Sequence, residues 1–353
     1  RSKKTRVKRM NKLFNRLTKT SLVLIYLVII AGAIVRMTGS GMGCPDWPKC
    51  FGYLIPPTQE SELLFTPFHD YSKDEMIILN SENLYTATKD FKSNEFINLS
   101  NWSLYEKHDY VVYDPVHTWI EYINRLIGAL AGIPILIFTL ISIYYWKDYK
   151  YLTIISILTV LGMAFQAWLG KTVVDSNLSP YKITIHMLMA LVIVGLILSL
   201  IVQTKRGDFI NNKLFKNLII FSILLTLIQV VLGTQVREFV DEKIKSIGYD
   251  KANWLTDVPI KFYIHRTFSI IVLLVNFYLF YLNKKLRLGF NKLSYVIILI
   301  GIEILTGILM YYFDFPVLSQ PTHLVIATII FGLQFYILLE YLLRNKSIKQ
   351  IEL

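Results

Sequence analysis

The chain is predicted to be an all-α, polytopic membrane protein of eight transmembrane helices, built as two pseudo-symmetric four-helix bundles. Three observations predict this. First, 54% of the residues are hydrophobic, 18% are charged and the mean hydropathy is +0.46, a composition outside the range of soluble domains. Second, eight segments of roughly 20 apolar residues each suffice to cross a ~30 Å hydrocarbon core as helices. Third, polar signals within those segments occur twice. Gly170 and His186 recur as Gly307 and His323, 137 residues on, while Asn124-Arg125 recurs as His265-Arg266, 141 residues on. Gly32-Ala-Ile-Val-Arg36 and Gly233-Thr-Gln-Val-Arg237 close two further segments. A tandem duplication explains all three pairs, and four spans per half return the chain to its starting side.

The elements follow in order. Residues 1–20 form a tail with nine basic and no acidic residues. The first span covers about 18–38. An outer connection, 37–118, then carries five lysines and twelve acidic residues. Within it, residues 53–114 mix polar residues with Trp102, Tyr105, Tyr110 and Tyr113 without a clean period, which predicts a cap over a site rather than a second soluble domain. Spans follow at about 119–145, 151–172 and 183–204. Lys205-Arg206 leads into the second half, with spans at about 214–236, 262–283, 292–313 and 322–343. Its smaller outer loop, 238–261, takes the place of the long connection. The predicted domains are thus the tail 1–20, an N-terminal half 21–204 and a C-terminal half 205–353. Trp119, Tyr144, Trp146, Trp168, Tyr311 and Tyr341 fall near span ends, as interfacial belts require.

Basic residues in the tail, at 205–206, in 283–292 and around Arg344-Asn-Lys346 place both termini on the cytoplasmic or matrix side. The net charge of +12 is explained by this membrane-facing distribution and calls for no nucleic acid. A bacterial cytoplasmic membrane is expected over the mitochondrial inner membrane, because the tail is poor in serine and merges into the first span. The lack of an initial Met suggests that a few residues precede Arg1.

Ionisable groups inside a bilayer are costly and mark functional sites. Asn124, His186, His265 and His323 are expected within the first turn or two of the even-numbered spans, at one depth. His265 and His323 can face each other across the second bundle and ligate a heme, as Asn124 and His186 can across the first. Arg36 and Arg125 accompany the first site, and Arg237 and Arg266 the second. Guanidinium groups there match a heme propionate, the alternative being arginines that snorkel to the interface. Glu121 precedes Asn124 by one helical turn, and its counterpart is Phe262. One half thus offers a reactive carboxylate that the other lacks, unless Glu121 pairs with Arg125 or Lys171. Gln166 and Glu303 also correspond, each four residues before its glycine, and Glu303 reads as a structural hydrogen-bonder or part of a proton path. Cys44 and Cys50 lie in a Gly- and Pro-rich outer segment, where a disulfide is expected. Two thiols that cycle during turnover are the alternative.

The stretches VRMTGSGMGCPDWPKCFGYLIPP (35–57), WIEYINRLIGAL (119–130), LGKTVV to His186 (169–186), GTQVRE with IHR, and PTHL (321–324) closely resemble the heme A synthase family. The resemblance spans all eight segments. It implies heme b as a fixed cofactor ligated by His265 and His323, and heme O as the substrate of the N-terminal half. There the C8 methyl group would be oxidised to a formyl. It also implies a heme O synthase and a membrane electron carrier as partners, and a homo-oligomer is compatible with it. The family pattern Glu-x-x-His-Arg has Asn124 in place of His, which leaves His186 as the axial histidine of the substrate site. His117, about 10 Å away along a helix, is too far to replace the missing ligand. Two other functions compete with this one. A non-catalytic cytochrome b relaying electrons would need histidine pairs in both halves, and a heme-delivery chaperone would leave Glu121 without a chemical role.

Overall fold

A computed structural model describes residues 3–79, 83–107, 113–202, 212–248 and 250–349. Tyr110, Lys205 and Arg206 lie outside the described residues, as do the side chains of the basic tail through residue 11 and those of Asn345 and Lys346.

Eight helices carry the fold: α1 (Lys3–Thr38), α2 (Pro115–Tyr144), α3 (Lys150–Asp175), α4 (Pro180–Val202), α5 (Lys213–Ile247), α6 (Ile260–Lys285), α7 (Lys292–Tyr312) and α8 (Ser319–Lys349). Each contains a stretch long and apolar enough to cross a membrane. Local chemistry explains several ends. Asp114 accepts the His117 backbone N–H at 2.9 Å, with Pro115 next in the chain, so α2 begins on an acidic cap followed by proline. Asn212 caps α5 in the same way, accepting from Phe215 N at 2.8 Å. α1 stops where Gly39 takes a left-handed conformation, φ 71°, a common helix terminator.

In the structure α2 starts four residues before the segment read from hydropathy, so Asn124 sits in its third turn rather than the first or second. α5 runs eleven residues beyond its predicted end, to Ile247. Glu238, Asp241, Glu242, Lys243 and Lys245 end the apolar signal there but not the helix, because charged residues of this kind are adequate helix formers.

Within α1–α4 each helix packs on the next and α4 returns to α1; α5–α8 repeat this arrangement, α8 returning to α5. α8 packs against α1 and α4, and α4 against α5, joining the two sets. Leu191, Ile223, Val230 and Phe331 fill that junction. At one point it is very tight: Tyr26 Oη meets Gly332 where a Cβ would lie 2.4 Å away, and the hydroxyl donates to Thr328 O at 3.3 Å.

The connection between α1 and α2 folds into strands that its sequence did not reveal: β1 (Asp70–Tyr71), β2 (Met76–Leu79), β3 (Asn83–Ala87), β4 (Phe91–Lys92) and β5 (Trp102–Leu104). β2-β3-β5 form one antiparallel sheet and β1-β4 a second. Tyr71, Ile77, Ala87 and Trp102 make a core of their own beneath Phe65 and Phe91. Residues 53–114, read as a connection without a clean period, thus carry a small β layer. Tyr341 is also reassigned. Rather than joining an interfacial belt it is 1% exposed, stacks near Phe215 and Phe290, and bonds Asn212 through both backbone groups.

Candidate functional site

Asn124, His186, His265 and His323 each face a glycine on the preceding helix. A Cβ on Gly32 would lie 3.8 Å from Asn124 Oδ1, and one on Gly170 3.4 Å from His186 Cε1. On Gly233 it would lie 3.1 Å from His265 Cε1, and on Gly307 3.8 Å from His323 Cε1. The glycines thus let α1 approach α2, α3 approach α4, α5 approach α6 and α7 approach α8 at the level of these side chains.

In the second half the structure brings His265 and His323 together, with ring centres 6.4 Å apart and planes at 69°. A metal–imidazole bond of ~2 Å on either side of an iron sets two ring centres about 6 Å apart, so the pair fits a bis-imidazole heme. His323 Nδ1 lies 2.9 Å from Glu303 Oε2 and 2.8 Å from Thr306 Oγ1. A carboxylate on the distal nitrogen is the usual support of a metal-binding histidine, fixing tautomer and ring orientation. On His265 the backbone is held instead, Gln229 Nε2 donating to its carbonyl at 3.0 Å. Its Nδ1 is buried without a partner.

The first half differs. Gln166 Nε2 donates to the His186 carbonyl at 3.1 Å and lies 3.3 Å from His186 Nε2, while His186 Nδ1 and Asn124 Oδ1 are buried without partners. His117, in the first turn of α2, is engaged elsewhere: its Nδ1 is 2.8 Å from Ser40 Oγ.

Glu121 is 4% exposed and its pairing with Arg125 is formed. Oε1 accepts from Arg125 at 2.6 and 3.2 Å, and Oε2 accepts the Cys44 N–H at 3.0 Å. Arg125 also donates to the carbonyls of Asp46 (2.8 Å), Lys49 (3.0 Å) and Cys44 (3.4 Å). The Cys44–Cys50 disulfide is present, with Cα atoms 4.8 Å apart. Its loop lies directly on α2, since a Cβ on Gly43 would be 2.4 Å from His117 O and Thr118 Oγ1 donates to Gly43 O at 2.8 Å. Burial pushes the Asp46 carboxyl above its ordinary value, against the lowering effect of Gly52, Phe51 and Arg125. The outer loop is thus pegged to α2 by one buried ion pair.

The structure also brings Arg36 and Arg237 together, from opposite halves, on one carboxylate. Arg36 reaches Asp241 Oδ2 at 3.0 Å and Arg237 reaches Oδ1 at 2.7 Å. Arg237 also donates to Arg36 O at 3.1 Å and to Gln320 Oε1. Arg266 is separate, exposed and stacked over Phe262 and Tyr263 at 5.9 and 5.2 Å. Sequence reasoning missed Asp241, Thr306 and Gln229. Asp241 lay in what read as a loop, although its spacing of four from Arg237 was a signal; Gln229 stands four residues before Gly233, the spacing of Gln166 and Glu303 from their glycines, and Thr306 had no counterpart in the repeat.

The profile of the cytochrome oxidase assembly protein family COX15-CtaA matches residues 15–77 and 73–335. A heme A synthase of Ehrlichia canis is 25% identical over 338 residues, covering 89% of each chain. One of Flavobacterium johnsoniae is 23% identical over 353 residues, covering 90% of this chain and 94% of that protein. One of Shewanella oneidensis is 28% identical over 189 residues, covering 54% of this chain and 45% of that protein.

Proposed function

The chain belongs to the COX15-CtaA family of cytochrome oxidase assembly proteins, and on that premise we propose that it is a membrane enzyme of heme A biosynthesis. Its reaction oxidises the C8 methyl group of heme O to a formyl group. The observation that carries the assignment of its centre is the facing pair His265 and His323, at a separation suited to a single iron. These two residues hold heme b in the second half, the C-terminal domain from about residue 205. Methyl-to-formyl conversion removes electrons and adds oxygen, chemistry that side chains lack and a heme supplies.

In the first half His186, beside Asn124, would hold the iron of heme O. Arg36 and Arg125 for the substrate, and Arg237 and Arg266 for the cofactor, offer guanidinium groups to propionates. Glu121 acts on the reacting carbon by stabilising developing positive charge or orienting water. A second reading of Glu121 is supported by its bonds to Arg125 and the Cys44 amide, which suit an anchor for the disulfide loop. The basic tail favours termini on the cytoplasmic side, with a heme O synthase and a membrane electron carrier as partners.

Co-expression with a source of heme O tests the activity. Heme A should appear in extracted pigment, and its absence alongside a normal b-type spectrum would favour an electron relay or a heme chaperone.

A further inference from the structure

Glu303 and Gln166 occupy corresponding places in the two halves, yet they hold their histidines by opposite edges. In the second half the carboxylate and Thr306 take up His323 Nδ1, which leaves Nε2 to bind a metal. In the first half the amide lies on His186 Nε2 itself, at 3.3 Å. The bond from the same nitrogen of Gln166 to the His186 carbonyl fixes which end of the amide faces the ring, so the amide N–H points at the lone pair of Nε2. Nδ1 then carries the proton and has no partner.

We propose that this Glu/Gln exchange is what makes one heme a resident cofactor and the other an exchangeable substrate. Glu303 is a positioning residue: it accepts the Nδ1 proton, fixes the ring and raises the basicity of His323, which stabilises ferric iron. Gln166 is a positioning residue of the opposite kind. Its N–H competes with iron for His186 Nε2, so ligation there costs a hydrogen bond and is readily reversed, as turnover of a substrate heme demands.

The inference rests on His323 and His186 being iron ligands, and the test separates the two ideas. Purified, heme-loaded wild type, Glu303→Gln, Gln166→Leu and His323→Ala are compared by b-heme content, ferric/ferrous midpoint potential and the rate of heme transfer to apomyoglobin. Glu303→Gln should keep a low-spin spectrum but raise the midpoint potential and speed transfer of the b heme by about 10-fold or more, the usual effect of losing such a partner. Gln166→Leu, which removes the competing N–H at His186 Nε2 and leaves the second half untouched, should slow release of the substrate heme by a similar factor, so that more heme O co-purifies than with wild type. Unchanged potential and transfer rates in both variants would overturn the inference. Retention of a normal b spectrum in His323→Ala would instead overturn the ligand assignment beneath it. If Glu303→Gln fails to accumulate, Gln166→Leu alone decides, since faster or unaltered substrate release there contradicts the proposal.

Discussion

Glu121 shows how a single buried carboxylate is constrained. Both of its oxygens are engaged, one by Arg125 and one by the Cys44 amide, and at 4% exposure water cannot substitute for either. Glu121→Gln keeps the shape but turns one acceptor into a donor, so an N–H of Arg125 or Cys44 loses its partner at a cost of about 1–3 kcal/mol. If the carboxylate serves the reaction, heme A output should fall at least ~10-fold, about 1.4 kcal/mol of transition-state stabilisation. The b-heme spectrum should persist. The rate at which an impermeant phosphine reduces Cys44–Cys50 separates the two readings of Glu121. Loss of product with unchanged reduction supports direct action, whereas faster reduction with normal heme A output would assign Glu121 to the loop. His186→Ala should lose product by a different route, through failure of heme O to co-purify. Of these residues the sequence disclosed identity and spacing, but not that Arg125 would spend its donors on the carbonyls of Asp46, Lys49 and Cys44, because that loop approaches α2 only in the folded chain.

At the scale of the helices, the repeated glycines have a graded steric meaning. An added methyl would sit 3.1 Å from the ring at Gly233, 3.4 Å at Gly170 and 3.8 Å at Gly307. Gly233→Ala should therefore displace His265 and weaken the b-type spectrum, and Gly307→Ala should leave it near normal. Equal loss of the spectrum in both would show that helix separation, not the ring contact, sets the requirement. A second layer lies 11 residues further along the same helices, about 16 Å toward the chain termini. It comprises Ser222, Asn276 and Gln334, all fully buried and mutually bonded at 2.9–3.0 Å. The corresponding first-half positions are Ser21, Ile135 and Ile197, so the duplication has diverged there. Asn276→Leu should strand two polar partners and destabilise the second half by about 1 kcal/mol, read as earlier thermal release of the b heme. Hydropathy exposed all eight spans because a bilayer imposes one length and one composition. It missed the β layer because β1 and β4 have two residues each and β2 is buried at Met76, Ile77 and Ile78 in succession, leaving no alternation to detect.

Among the described residues, the two halves meet through a largely apolar junction of α1, α4, α5 and α8 and through a charged contact at the disulfide end. Asp241 belongs to the second half but accepts Arg36 from the first, while Arg237 holds its other oxygen. The two arginine side chains are only 18% and 15% exposed, and the shared carboxylate offsets part of the repulsion between them. Removing that carboxylate leaves two like charges in proximity across the junction. Asp241→Asn should therefore lower thermal stability, and Arg36→Gln in the same background should recover part of the loss by relieving the repulsion. A double-mutant cycle between positions 36 and 241 should report coupling within the ~0.5–3 kcal/mol found for contacting charged groups, diminished by added salt because the carboxylate is partly exposed. Coupling below about 0.3 kcal/mol, the level of independent sites, would mean that the apolar junction alone holds the halves in register. The cycle also bears on the arginines as propionate ligands. If a bound heme draws Arg36 or Arg237 away from Asp241, the coupling measured in heme-loaded protein should be smaller than in heme-depleted protein, and identical values in both states would leave the two arginines with the junction rather than with the heme.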